Sequence, residues 1–219
     1  MPNPLKPSFR TEWYAVAINL LLLVAALFFY SRLPAKAPIH WDWSGQADSY
    51  SSPAMAAWFL PILSIALYLL LLFLPKFDPK RDQYQSFSRN YHYFKDLLVS
   101  LLFVVYILSN LAALGYQINL AVYIPLIIGG FIAIIGLFLH NLKPNWFIGI
   151  RTPWTLSSER VWLKTHLLAR PIFIISGLLI ATSGFLLLFW KQLVFFLAIA
   201  ILVFPLPVYS YILYRQERK

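Results

Sequence analysis

Five long runs without Asp, Glu, Lys or Arg constrain the fold of this chain more than any other feature. An α-helix that crosses about 30 Å of hydrocarbon needs about 20 residues, because each residue adds about 1.5 Å. The runs enclose 19, 27, 46, 20 and 23 residues, so four of them hold one span each. The longest holds two spans, separated by Gly115–Asn119. The sequence therefore predicts an all-α polytopic membrane protein with six transmembrane helices, at roughly 13–31, 53–75, 95–115, 119–140, 171–190 and 192–214.

The composition excludes the main alternatives to a membrane protein. Apolar residues make up 60% of the chain and charged residues 12%, against about 45–50% and about 25% in soluble globular proteins. So few charges cannot cover a surface that faces water, which excludes a soluble enzyme, and the apolar content excludes intrinsic disorder. The chain contains no cysteine, so disulfides, thiolate metal sites and cysteine nucleophiles are absent.

The distribution of Lys and Arg predicts the orientation. With the N-terminus in the cytoplasm, 15 of the 18 basic residues fall in cytoplasmic segments, and only Arg32, Lys36 and Lys191 fall outside. Short cytoplasmic loops carry an excess of basic residues, so this arrangement is strongly favoured over its inverse. Both termini are predicted to be cytoplasmic, and the net charge of +10 is a topology signal with attraction to anionic lipid as a second effect.

The predicted spans are poor in groups that could carry ions or protons. None of the five runs holds an Asp, Glu, Lys or Arg, which argues against an ion-coupled pump. Glycines in spans four and five, among them Gly129, Gly136 and Gly177, predict close helix packing. Pro205 and Pro207 predict a local break in the last span.

The predicted external connection between spans one and two combines prolines, aromatic residues and a glycine in an unusual pattern. Aromatic side chains suit the membrane interface. His40, Asp42 and Asp48 could bind a divalent metal, but their spacing matches no known metal motif, so we expect a hydrogen-bonded loop folded on the helix ends and no metal.

The predicted internal connection between spans four and five is equally distinctive. Ser157 or Ser158 can cap a helix with Glu159 in its first turn. The next residues would place Trp162, His166 and Arg170 on one face, and Pro171 would open span five. Two interpretations stay open: a short interfacial or re-entrant helix at the inner membrane surface, or a docking surface for a partner or for the bundle.

Both connections resemble one family, the SdpI-type (SdpI/YfhL-like) membrane proteins of bacteria, named for an immunity protein against a secreted killing-factor toxin. The outer connection resembles the family's N-terminal signature, with the Ile-Pro order altered to Pro38-Ile39. Residues 149–166 resemble its C-terminal signature at more than a dozen positions, with a departure at Leu168–Arg170, where the pattern has a glycine. The resemblance covers roughly residues 15–210.

The resemblance implies a multi-pass protein of the bacterial plasma membrane that protects its host from an envelope-active peptide toxin. In the best-known member, the protein also holds a transcriptional repressor at the membrane. The implied division is an N-terminal membrane domain at 13–90 and a C-terminal SdpI-like domain at 91–215. The expected partners are membrane lipid, a peptide toxin outside and a cytoplasmic regulator inside, with no cofactor and no direct contact with nucleic acid.

We therefore predict a non-enzymatic immunity or signalling protein with one site on each side of the membrane. The outer ligand-binding or partner-binding site comprises His40, Trp41, Asp42, Gly45 and Asp48. The inner site, either partner-binding or structural, comprises Gly149, Arg151, Thr152, Pro153, Trp154, Ser157, Glu159, Trp162, Lys164 and His166.

Two other functions compete with this prediction. A small-molecule or lipid transporter, or a channel-like protein, would have a hydrated cavity at the inner segment. A membrane-embedded enzyme would have to use Arg151, Glu159 and His166, the one plausible cluster on a single side. No nucleophile, zinc-protease or phosphate-binding motif supports catalysis.

Overall fold

The computed structural model describes residues 3–218 and confirms the predicted six-helix, all-α class. Within those residues, six helical segments are long and apolar enough to cross a membrane. The helices are α1 (Phe9–Tyr30), α2 (Pro53–Phe73), α3 (Ser88–Ala113), α4 (Leu120–Leu139), α5 (Pro153–Ser157), α6 (Glu159–Ser183), α7 (Leu188–Val203) and α8 (Pro205–Glu217). Two short 3-10 helices, Leu74–Phe77 and Arg81–Phe87, link α2 to α3.

Glycines bring α4 and α6 into close contact, as the sequence predicts. A Cβ atom built on Gly129 would lie 2.3 Å from the backbone nitrogen of Ala181, and one on Gly177 would lie 2.5 Å from that of Ala133. One on Gly136 would lie 2.8 Å from the Cβ atom of Phe173. Any side chain at these three positions would force the helices apart, so small residues set their separation.

Proline breaks one predicted span and leaves another intact. Span six is divided into α7 and α8, because Pro205 opens a new helix after Phe204. The expectation that Pro171 opens span five is wrong, since α6 runs without interruption from Glu159 to Ser183. Packing against neighbouring helices allows a membrane helix to keep an internal proline.

The inner connection therefore differs from the predicted separate helix. Its only independent helix is the five-residue α5, and the stretch after Ser158 belongs to α6. The backbone N–H of Val161 donates to the Ser158 hydroxyl at 3.2 Å, which confirms Ser158 as the cap. Whether α5 lies at the membrane surface or enters the membrane stays a prediction.

The outer connection contains regular structure that the sequence analysis missed. Strands β1 (Ala37–Trp41) and β2 (Ala47–Ser51) form an antiparallel hairpin with an irregular register near His40. Pro38 and the polar residues of β2 conceal the usual alternation of a strand, because both strands are short and mostly exposed.

Candidate functional site

The outer hairpin presents a polar pair to solvent. His40 and Asp48 face each other across the strands, with the His40 Nδ1 and the Asp48 Oδ1 2.5 Å apart. The two side chains are 68% and 45% exposed. An exposed pair of this kind contributes little to stability, so both groups are available to an external partner.

Asp42 is engaged within the hairpin turn. Its Oδ1 accepts hydrogen bonds from the Ser44 hydroxyl at 2.6 Å, the Ser44 N–H at 2.8 Å and the Gln46 N–H at 2.9 Å. These bonds, led by that from the Ser44 hydroxyl, hold the pKa of the Asp42 carboxyl below its usual value. Gly45 has a φ of +87°, a conformation that a side chain disfavours. Asp42 and Gly45 therefore shape the turn.

A buried lysine fixes the turn to the helix bundle. The Lys191 ammonium donates to the Trp43 carbonyl at 3.3 Å and to the Ala121 carbonyl at 3.2 Å. The Trp43 ring also packs against Phe195 of α7, with 5.1 Å between centroids. The sequence analysis treated Lys191 as an external loop cation, whereas its side chain is only 7% exposed. The contact depends on distant segments, so no local pattern indicates it.

The inner connection, which we call the inner segment (residues 143–158), is organised around Asn145. The Asn145 Oδ1 accepts from the N–H groups of Phe147 and Ile148, and its Nδ2 donates to the carbonyls of Lys143 and Ile148. These bonds fold the chain into a compact turn whose central side chain is fully buried.

Asp78 ties the same turn to the α2–α3 connection. Its Oδ2 accepts from the Tyr84 hydroxyl at 2.8 Å and from the Trp146 N–H at 2.9 Å. The sequence analysis assigned no role to Asp78 or Asn145. The sequence indicates only that both residues lie in turns, since Asp78-Pro79 and Pro144-Asn145 are turn-forming pairs. It does not indicate that the two turns are joined.

His166 joins the inner segment to α6. Its Nε2 accepts from the Ile150 N–H at 3.0 Å, and its Nδ1 donates to the Trp162 carbonyl at 2.9 Å. Both bonds require the neutral imidazole with its proton on Nδ1. The imidazole stacks on the Trp162 indole at 4.1 Å, and the indole N–H donates to the Leu142 carbonyl.

Gly149 is required by this arrangement. Its φ is +113°, and a Cβ atom there would lie 2.5 Å from the His166 Nε2. The backbone can therefore approach the imidazole only without a side chain.

The start of α5 attaches the inner segment to α8. Thr152 and Thr155 cap each other across the first turn, with Pro153 as the first helical residue. The Thr152 hydroxyl lies 3.0 Å from that of Ser210, and Trp154 packs on Tyr211 with 5.0 Å between ring centroids.

The remaining predicted inner residues are exposed at the surface. They are Arg151, Ser157, Glu159 and Lys164. Arg151 donates to the Trp146 carbonyl at 2.6 Å, and among residues 3–218 no ion pair joins it to Glu159. Arg170 is exposed and does not share the buried face of Trp162 and His166, because eight residues advance a helix by more than two full turns.

A buried charged cluster links α1 and α3, which the sequence analysis did not predict. The Lys95 ammonium donates to both carboxylate oxygens of Glu12, at 2.6 and 2.8 Å, and the Tyr68 hydroxyl donates to the same carboxylate at 3.0 Å. The His92 Nδ1 lies 3.4 Å from the Glu12 Oε1. Glu12 and Lys95 are 8% and 1% exposed.

The charge-free runs hold no ionisable pair, but the helices that contain these runs extend beyond them. Helix α1 begins at Phe9, before the predicted start at 13, and so includes Glu12, while α3 begins at Ser88 and places Lys95 in its second turn. Glu12 borders one charge-free run, and Lys95 precedes Asp96, which borders another, but nothing in the sequence indicates that Glu12 and Lys95 meet. A buried ion pair needs close geometry to offset desolvation, which this one has.

Candidate metal ligands do not assemble into a site. Within residues 3–218, no group of three His, Cys, Asp or Glu side chains could hold a metal ion. In the hairpin, His40 and Asp48 pair with each other, while the Asp42 carboxylate serves the turn.

Comparison with known proteins bears on both ends of the molecule. Residues 141–210 match the model of the SdpI/YfhL protein family, and residues 17–65 match a domain of unknown function, DUF1648. Immunity protein SdpI of Bacillus subtilis (strain 168) is 25% identical over 205 residues, which cover 94% of this chain and 95% of that protein. The resemblance to SdpI-type proteins is confirmed. No solved structure matches the chain.

The two matched regions contain the two candidate sites. The outer hairpin lies within 17–65, and the inner segment lies within 141–210 together with α6 and α7. The multi-pass membrane character is supported by the six helices and by this similarity. The division into domains at 13–90 and 91–215 stays a prediction.

Proposed function

We propose that this chain is an immunity protein of the bacterial plasma membrane, which protects its host from an envelope-active peptide toxin. The observation that carries the proposal is the similarity to Immunity protein SdpI, which extends over almost the full length of both chains. Six apolar helices agree with that role, because a toxin that acts on the envelope is met at the membrane.

The outer hairpin is the proposed toxin-binding surface. Besides the His40–Asp48 pair, it exposes the apolar side chains of Ile39 and Tyr50, which are 44% and 55% exposed. Exposed apolar groups beside polar ones suit an amphipathic peptide at the membrane surface. The Lys191 anchor supports the proposal, since a held hairpin loses less conformational entropy on binding.

The inner segment is the proposed binding surface for a cytoplasmic regulator. Its buried residues hold the backbone in place, and Trp146, Arg151, Glu159 and Lys164 remain accessible around it. We assign the contacts with a partner to these exposed side chains and a structural role to Trp162, His166 and Thr152.

Protection assays in a toxin-sensitive bacterial strain test the proposal. We expect the wild type to restore growth of the sensitive strain in the presence of an envelope-active killing peptide. His40→Ala and Asp48→Ala should restore growth less well. Lys36→Ala, an exposed change just before the hairpin, is the matched control. No protection by the wild type would refute the immunity function, and full protection by both hairpin variants would refute the outer site alone.

Lipid transport is the second candidate, favoured by a cavity beside the inner segment. The cavity measures about 290 Å³ and is lined mostly by apolar side chains, including Phe138, Phe147 and Phe173. Its apolar wall favours lipid over a hydrophilic solute. Transfer of labelled phospholipid between the leaflets of proteoliposomes would support this candidate, and absence of transfer would remove it.

A membrane enzyme is not favoured by the geometry. His166 is buried with both ring nitrogens engaged, while Arg151 and Glu159 are exposed and unpaired with each other in the described residues. The residues that such an enzyme would need are therefore not brought into one reactive cluster.

A further inference from the structure

A polar cavity lies where α3 begins and α4 ends. It measures about 410 Å³, and its wall combines hydroxyl, amide and basic groups. The polar residues that line it are Ser86, Ser88, Arg89, Asn90, His140, Asn141 and Lys143. A wall of this composition provides many hydrogen-bond donors in a small space.

The charge of this wall is entirely positive. Arg89 and Lys143 both line the cavity, and no Asp or Glu is among its lining residues. Neither cation forms an ion pair with any residue between 3 and 218. Two free cations on one wall favour an anion with several acceptor oxygens.

The apolar cavity beside the inner segment adjoins this polar one. Asn90 and Leu142 belong to the walls of both. Beyond them the wall becomes apolar, formed by Phe94 of α3, Phe138 of α4 and Ile148 of the inner segment. The surface thus changes from basic to hydrocarbon across two shared residues.

We propose that the joined cavities bind an anionic phospholipid, with its phosphate beside Arg89 and Lys143 and part of an acyl chain beside Phe94, Phe138 and Ile148. The predicted orientation places the basic cavity at the cytoplasmic leaflet, which is rich in anionic lipid. Basic pockets between helices on that side are typical headgroup sites. The site is independent of toxin binding at the outer hairpin.

This lipid would contact the inner segment directly. Phe147, Ile148, Gly149 and Ile150 all line the apolar cavity, and Ile150 is hydrogen-bonded to His166. The acyl chain would therefore fill the space against the backbone that His166 holds.

Native mass spectrometry with defined lipids tests the site. Phosphatidylglycerol should bind the wild type about tenfold more tightly than phosphatidylcholine with the same chains. The double variant Arg89→Ala/Lys143→Ala should lose about thirtyfold of the affinity for phosphatidylglycerol, since each basic group near a lipid surface contributes about fivefold. The charge-preserving pair Arg89→Lys/Lys143→Arg should retain most of it.

The matched control is Arg215→Ala/Arg218→Ala, which removes the same charge from exposed positions on the same predicted side. An equal loss of affinity in this control would overturn the proposal in favour of diffuse attraction. Displacement of phosphatidylglycerol by an equal concentration of glycerol phosphate would overturn it too, because the apolar cavity would then contribute nothing. Arg89 and Lys143 are exposed, so both variants should unfold at the wild-type temperature in phosphatidylcholine nanodiscs.

Discussion

The outer hairpin and the inner segment use similar residues in opposite ways. Each has a tryptophan and a glycine with positive φ, and each depends on a histidine, which lies in the hairpin itself at His40 and in the adjoining helix α6 at His166. His40 is exposed and paired with a single carboxylate, whereas His166 is 1% exposed and bonded through both ring nitrogens. The hairpin therefore offers its polar groups to a partner, and the inner segment uses its polar groups to hold its own backbone.

The buried and exposed ion pairs give the largest expected contrast between the two ends. Lys95→Met leaves the Glu12 carboxylate buried without its cation, which should lower the free energy of unfolding by about 3–5 kcal/mol. Asp48→Asn at the exposed hairpin pair should change it by less than about 1 kcal/mol. Equilibrium unfolding in mixed micelles measures both values.

Glu12→Gln/Lys95→Met is the control for that prediction. It removes both charges together, so much of the lost stability should return. If Lys95→Met and Asp48→Asn changed the free energy of unfolding equally, the predicted difference between the buried and the exposed ion pair would be refuted.

Gly149→Ala should produce the next largest effect and lower the free energy of unfolding by about 2–4 kcal/mol. The added Cβ atom would clash with His166, and the positive φ is also unfavourable for alanine. Gly115→Ala is a matched control, since Gly115 has a φ of +90° with no atom near the added Cβ, and should cost about 1 kcal/mol. The same unfolding measurement applies. If the two variants lose equal stability, the backbone of Gly149 does not approach His166 as described.

His166→Leu should lower the free energy of unfolding by about 1–3 kcal/mol, because the partly buried Ile150 N–H loses its acceptor. His40→Leu should leave stability within about 0.5 kcal/mol, as is usual for exposed positions. Hydrogen exchange at the Ile150 amide would locate the effect of His166→Leu. Unchanged protection of that amide would contradict the assigned bond.

Among the substitutions of buried residues, Lys191→Met should have the smallest effect on global stability, because it keeps the apolar stem and removes two bonds to backbone carbonyls. We expect a loss of about 1–2 kcal/mol. Faster proteolysis at Ser44–Gln46 should accompany it, since the turn loses its anchor. A Lys36→Met variant, exposed and outside the hairpin, should show neither change.

The elements predicted from the sequence depend on local composition. Charge-free runs of sufficient length identify the six spans, and Pro205 marks the division of the last one. The glycines at 129, 136 and 177 predict close-packing faces on spans four and five, and the structure shows that these two faces pack on each other. The two family signatures in the sequence mark the outer connection between spans one and two and the inner connection between spans four and five.

The features that could not be predicted from the sequence depend on tertiary contacts. Glu12 and Lys95 are 83 positions apart, and their partnership exists only once α1 packs against α3. Lys191 resembles a loop cation until Trp43 and Ala121 surround it. Pro171 suggests a helix boundary by local rules, but neighbouring helices allow α6 to continue through it.

Labelling of single cysteines in intact cells most directly tests whether the hairpin and the inner segment face opposite compartments. The chain has no cysteine, so Ser49→Cys in the hairpin and Lys164→Cys beside the inner segment each introduce one reactive site at an exposed position. A membrane-impermeant maleimide should label the Ser49 variant in intact cells and the Lys164 variant only after permeabilisation. Labelling of the Lys164 variant in intact cells would contradict the orientation, and with it the roles proposed for both ends.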